Sequence, residues 1–194
     1  MGFSKAELEA FRDATVPDLV GPGLRLLFVG INPGLWTAAT RTHFAHPGNR
    51  FYPALFLGGV IEREIDRGRG MTDADRSHLI ERGIGITNLV HRATAKASEL
   101  SRSELVDGGE RLVEFVAQHR PDVVAVAGIT AYRTAFGHRD AAMGRQPERL
   151  SGAALWIVPN PSGLNAHETV ATLAAAYRAP AHEAGILSRV DRDR

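Results

Sequence analysis

A three-layer α/β/α sandwich around a mainly parallel sheet is the fold class this sequence predicts, and three observations predict it. Short runs of strand length and apolar character recur at Leu24–Val29, Ile86–Val90, Val123–Val126 and Leu155–Val158. Helix-like patterns lie between them. The intervening segments are long enough for parallel crossovers, which need a dozen or more residues and are usually helical. With 194 residues, 44% of them apolar, the chain can bury one substantial core. A single domain is therefore expected over residues 16–180, with 1–15 and 181–194 as charged, partly mobile extensions.

Each element has its own reason. Leu24–Val29 reads as a buried strand that runs straight into the turn Gly30-Ile31-Asn32-Pro33-Gly34. Asn49 is a suitable cap for a helix to about Leu57, and acidic residues open a second helix from Asp73 to Arg82. Ile86–Val90 reads as the next strand. From Ser103 to Val116 the apolar residues Leu105, Leu112, Val113 and Val116 fall on one helical face, although Gly108 and Gly109 weaken it by about 1 kcal/mol each. Val123–Val126 is a strand ending at Gly128, followed by a helix from about Thr130. Strand Leu155–Val158 and helix Thr169–Tyr177 complete the series, and Asp191-Arg192-Asp193-Arg194 looks like a solvated terminus. No internal repeat or low-complexity segment interrupts the pattern.

Composition narrows the chemistry. The chain has no cysteine, which removes disulfides, thiolate zinc sites and cysteine-ligated iron–sulfur clusters. No run approaches the roughly 18 apolar residues of a membrane-spanning helix, and Met1–Glu7 lacks the apolar core of a secretory signal, so a cytoplasmic protein is expected. A net charge of +1 implies that any attraction to phosphate comes from local clusters. Lys5 and Lys96 are the only lysines, so nearly every cation is arginine.

Two junctions concentrate residues that chemistry can use. At the first, Asn32 offers a carboxamide whose oxygen can hold a water for attack, although it cannot act as a base near neutral pH. Asn before Pro also caps turns, so spacing alone leaves both roles open. The second junction, Pro159-Asn160-Pro161-Ser162-Gly163-Leu164, again ends a strand in a rigid loop, tipped by an apolar residue. Strand ends facing one crevice form binding sites in open α/β sheets. His43 and His46 have no matching carboxylate at metal-ligand spacing, and no metal site is expected. Arg41, His43, His46, Arg50 and Lys96 could follow a phosphate track, or simply be solvated. No Gly-Lys-Ser/Thr follows the glycine turn, which argues against a nucleoside-triphosphate loop.

Gly30-Ile31-Asn32-Pro33-Gly34, Phe44-Ala45-His46-Pro47 and Pro159-Asn160-Pro161-Ser162-Gly163-Leu164 together resemble the mismatch-specific uracil-DNA glycosylases, the group that includes the thymine-DNA glycosylases. The likeness runs from about Pro17 to about Arg178. It implies a uracil-DNA glycosylase-like fold and a cofactor-free enzyme. Such an enzyme flips uracil, or a related base such as ethenocytosine, from duplex DNA, preferentially opposite guanine, and hydrolyses its N-glycosidic bond to leave an abasic site. Asn32 falls on the family's water-positioning asparagine and Phe44 on its aromatic platform. Gly30, Ile31, Gly34, Leu35 and Thr37 then belong to the base pocket, with turn amides to stabilise the departing base. Ser162, Gly163, Leu164 and Asn165 fall on the loop that fills the hole in the duplex. Arg41, His46, Arg50, Arg92 and Lys96 are candidate DNA-backbone contacts. The implied partner is double-stranded DNA with a damaged or mismatched base, bound by a monomer close to the nucleoid, with abasic-site processing enzymes downstream.

The chain departs from the bacterial pattern in three places. Trp36-Thr37 replaces two small hydroxyl residues, Asn165-Ala166 replaces a serine and an arginine, and Asn88 and His91 replace a lysine and an aspartate. His91 is therefore an alternative catalytic group. Two other function classes fit parts of the sequence. One is a non-catalytic damage-binding module that uses the same wedge. The other is a Rossmann-like nucleotide-binding enzyme, against which the missing Gly-x-Gly-x-x-Gly counts.

Overall fold

The computed structural model describes residues 2–187. The segment Asp191–Arg194, expected to be a solvated terminus, lies outside them. Five strands, β1 (Leu26–Gly30), β2 (Ile84–Asn88), β3 (Val123–Ala127), β4 (Gly144–Leu150) and β5 (Ala153–Val158), form one sheet in the order β2-β1-β3-β5-β4. The first three pairings are parallel and β4 runs antiparallel to β5. Helices α1 (Lys5–Glu9), α2 (Leu35–Thr40), α3 (Phe51–Leu57), α4 (Asp73–Glu81), α5 (Arg102–His119), α6 (Ile129–Phe136) and α7 (Val170–Glu183) complete the fold.

Every residue of β1, β2 and β3 is buried, as expected of strands covered on both faces. Strand alternation sorts them between two cores. Leu26 and Phe28 point to one side, where they meet Phe51, Tyr52 and Leu55 of α3 and Leu173 and Tyr177 of α7. Leu27 and Val29 point to the other, towards Leu112 and Val116 of α5 and Tyr132 of α6. The α/β/α sandwich follows directly from this period of two.

Several boundaries move for physical reasons. The second strand spans Ile84–Asn88, two residues earlier than its apolar run indicates, because Gly85 passes close to Leu19 O and the 19–20 segment runs along that edge. Helix α5 begins after Ser101, whose hydroxyl accepts from Glu104 N in a reciprocal capping box. Val113, assigned to its apolar face, is 40% exposed. Gly108 and Gly109 face inward beside Leu112 and Val116, and a Cβ on them would lie 2.4 Å from Leu89 O and 2.8 Å from Ala135 O, respectively. These glycines let α5 approach other backbones closely, which no larger residue permits.

Strand β4, for which the apolar pattern predicts no element, has Pro147 at its centre and forms one edge of the sheet. A register shift between Arg145 and Arg149 accommodates it, and edges are where proline and bulges are tolerated and where they discourage further pairing. The packed unit also extends beyond 16–180. Leu8, Phe11 and Ala14 pack against Val16, Leu35, Ala38 and Ala93, while Ala181, Ala184, Ile186 and Leu187 join the main core beyond the boundary drawn at 180.

Candidate active site

The carboxyl ends of β1, β3 and β5 open on one side of the sheet. A Cβ placed on Gly128, just beyond β3, would lie 3.4 Å from Ile31 Cδ1 and 3.8 Å from Asn160 Nδ2, so residues following all three strands meet there. Phe44 lies over Gly30, and Gly48 lies under Gly163. The turn after β1, the 44–48 segment and the loop after β5 thus come together at this end of the sheet.

Asn32 is held from one side only. Its Nδ2 donates to Arg92 O at 3.0 Å, Pro33 O at 3.1 Å and Thr94 Oγ1 at 2.8 Å. The two carbonyls can only accept, and the Thr94 hydroxyl spends its own proton on Lys96 O, so the atom facing them must be the amide nitrogen. The oxygen, Oδ1, takes no hydrogen bond from the described residues. The turn itself is pinned by the 89–94 segment, through Leu89 N to Gly30 O, Val90 N to Ile31 O and Thr94 N to Pro33 O. Helix α2 starts directly after Gly34, so its first-turn N–H groups have no carbonyl within the helix.

Phe44 adopts φ +56°, a left-handed conformation that a bulky residue holds at a cost of about 1–3 kcal/mol. Its ring stacks on Phe51 with centroids 4.1 Å apart, and Tyr52 fixes the preceding residue by donating to His43 O at 2.7 Å. A Cβ on Gly30 would come within 3.2 Å of Phe44 Cζ and 2.4 Å of Asn88 Oδ1. Glycine at this position therefore leaves room for the ring edge and the carboxamide to meet.

Asn88 is also oriented. Its Nδ2 donates to His43 Nδ1 at 3.1 Å, and His43 Nε2 donates to Pro17 O at 3.0 Å. Because Pro17 O can only accept, the imidazole proton sits on Nε2 and Nδ1 is left as the acceptor. Burial drives the His43 pKa below its ordinary value despite the Pro17 bond, which keeps this neutral tautomer in place. Asn88 therefore turns its oxygen towards Gly30 and Phe44.

The loop after β5 carries Leu164 at its tip, 86% exposed. Asn160 Oδ1 accepts from Ser162 N, Asn165 Nδ2 donates to Asn160 O and Asn165 N donates to Ser162 O. Beneath the loop, Arg50 Nη2 donates to Ser162 O and Gly163 O at 3.2 Å each and to Asn165 O at 3.0 Å, while Nη1 donates to Glu168 O.

These contacts correct the assignment of Arg50 as a DNA-backbone cation, since its donors are directed into the protein. Arg92 is similarly engaged, with Nε on Glu104 and Nη1 on Asp13 at 2.8 Å each, and the pair together with Ser101 holds the Glu104 carboxyl down at about 2. Arg41, His46 and Lys96 are exposed. Leu35 turns into the small cluster with Val16, Ala38 and Ala93, and Thr37 is buried in α2. Trp36 lies edge-on to Phe3 and His46. His91 stands 3.9 Å from Asp18. His43, weighed as a metal ligand, is spent on Asn88 and Pro17, and no group of three metal-binding side chains occurs among the described residues.

No local pattern points to Thr94 as the anchor of Asn32, 62 residues away. Asn88 was recoverable in principle, because it ends a parallel strand, the place where such sheets put functional groups. A family model described as the uracil DNA glycosylase superfamily matches residues 17–182. The fold is similar to a solution NMR structure from Methanosarcina acetivorans described as a candidate uracil DNA glycosylase. That likeness has a TM-score of 0.58 and 16% identity, and covers 86% of this chain and 96% of the other.

Proposed function

The chain belongs to the uracil DNA glycosylase superfamily, and from that premise we propose that it is a monofunctional glycosylase that hydrolyses the N-glycosidic bond of uracil flipped out of duplex DNA. The carrying observation is Asn32, an amide tied down through its nitrogen with its oxygen left to receive a water. Positioning is sufficient if the bond from C1′ to the base N1 breaks largely before attack, because the oxocarbenium-like sugar then needs little activation of its nucleophile. The electron pair of that bond leaves with the base. Water oxygen bonds to C1′, and its surplus proton passes to solvent or to the departed base. Turn amides around Gly34 and the first turn of α2 suit the developing charge, since fixed dipoles need no reorganisation.

A flipped base loses a few kcal/mol of stacking and pairing. Stacking on Phe44 offsets about 1–3 kcal/mol of that. The Asn88 oxygen then faces the base edge as an acceptor, matching the N3–H of uracil and mismatching cytosine, whose N3 is itself an acceptor. Leu164 is the wedge that occupies the vacated space. Preference for guanine opposite the lesion, activity on ethenocytosine and hand-over to abasic-site processing enzymes are part of this reading through the family resemblance alone.

The test is single-turnover release of uracil from duplexes with guanine or adenine opposite, comparing wild type with Asn32→Ala. Loss of at least a hundredfold in rate, with affinity for the duplex retained, is expected. Full activity in the variant removes Asn32 from the mechanism. Tight lesion binding by a wild type that releases no base converts the reading to a damage-binding module.

A further inference from the structure

Resting on the glycosylase reading, we propose that Arg50 is a positioning residue that pre-forms the DNA-penetrating loop, acting on the duplex only through Leu164. Its guanidinium converges on the carbonyls of Ser162, Gly163, Asn165 and Glu168, and its backbone N–H donates to Pro161 O at 3.0 Å. Among the described residues no carboxylate forms an ion pair with it, so the side chain is given over to this one loop. Hydrogen bonds from a charged donor contribute about 1.5–3 kcal/mol each where they are well formed. Turning four carbonyls of a seven-residue stretch inward leaves Leu164, flanked by two of them, outward and 86% exposed.

An apolar tip on a slack loop would fold back onto the protein. Ordering backbone costs about 1–2 kcal/mol per residue, and the clamp places that cost in protein folding, ahead of the encounter with DNA. The seat is close as well as polar, since a Cβ on Gly163 would stand 2.6 Å from Gly48 O. Chain order supplies the rest. Arg50 holds the loop, while its neighbour Phe51 stacks on Phe44 and donates its backbone N–H to Asn49 Oδ1. Adjacent residues therefore fix the wedge and the aromatic platform to the same point of the fold.

The experiment compares wild type, Arg50→Lys, Gly163→Ala, Leu164→Ala and the Arg50→Lys/Leu164→Ala double variant. The readouts are uracil release from a guanine-paired duplex, binding to a duplex with a tetrahydrofuran abasic analogue opposite guanine, and thermal unfolding. Lysine keeps the charge but cannot span four carbonyls, and Gly163→Ala lifts the loop from its seat while the Arg50 side chain itself is unchanged. Each single variant is expected to slow release about tenfold and to weaken abasic-duplex binding, with the double variant no more than about twofold worse than the poorer single one. Multiplicative losses in the double variant overturn the proposal. So does wild-type behaviour of both Arg50→Lys and Gly163→Ala. If wild type releases no uracil, the glycosylase reading fails separately, while coupling between Arg50 and Leu164 is still read from abasic-duplex binding.

Discussion

Replacing His43 with leucine tests whether Asn88 is held as an acceptor. The substitution keeps volume and apolar contact but removes Nδ1, leaving the Asn88 amide N–H without its partner in a residue only 7% exposed. A buried donor left unpaired costs about 1–3 kcal/mol. At about 2–4 °C per kcal/mol for a domain of this size, the melting temperature should fall by about 2–12 °C. The carboxamide is then free to turn, and about 1.4 kcal/mol of lost orientation corresponds to a tenfold slower release of uracil. Ethenocytosine carries no hydrogen at N3, so its release should change by much less. Single-turnover rates on the two lesions, with Asn88→Ala as comparator, give the ratio. Equal loss on both lesions, or additive losses in a His43→Leu/Asn88→Ala variant, would refute the orienting role. The same histidine predicts a pH dependence. Burial lowers its folded pKa beneath the ordinary value of 6.5, so below that pH the unfolded chain takes up a proton that the folded chain refuses. Its contribution to stability is complete above about pH 6.5 and declines as pH falls, and His43→Leu should flatten that part of the profile.

Two further outcomes are expected. Gly108→Ala should destabilise the protein, because the close approach to Leu89 O outweighs the gain in helix propensity of about 1 kcal/mol, whereas at a solvated helical position the sign is reversed; thermal denaturation reads it directly. Arg92→Ala should leave the salt slope of duplex binding unchanged, since its guanidinium already faces Glu104 and Asp13, whereas Arg41→Ala or Lys96→Ala should reduce the slope by about 0.9 each if they contact phosphate.

Strands β1, β3 and β5 were legible because buried parallel strands are short, apolar and ended by turn residues, and that signal is local. Strand β4 was not, since an edge strand needs neither apolar alternation nor freedom from proline. Helix α2 was hidden because Pro33 and Gly34 read as loop, when Gly34 in fact caps a helix. At the site, Asn32, Phe44 and Leu164 stood out through their motifs, but what holds them did not. Thr94, His43 and Arg50 act through partners 62, 45 and more than 110 residues away, and no periodicity encodes such distances. The charge of Arg50 and the family resemblance at Arg92 pointed outward to phosphate, and only the fold reveals the carbonyls and carboxylates that claim them.

Asn49, Arg50 and Phe51 join the Leu164 loop to the Phe44 ring at one short stretch at the start of α3. On the proposed glycosylase reading, an enzyme built this way has no separate feeler to extend and retract as it travels along DNA. Inspection becomes a contest of stiffness in which the protein presents a fixed shape and the double helix must do the yielding. Weakly paired steps give way first, so part of the choice of target is made by the mechanics of the nucleic acid before any base reaches the pocket.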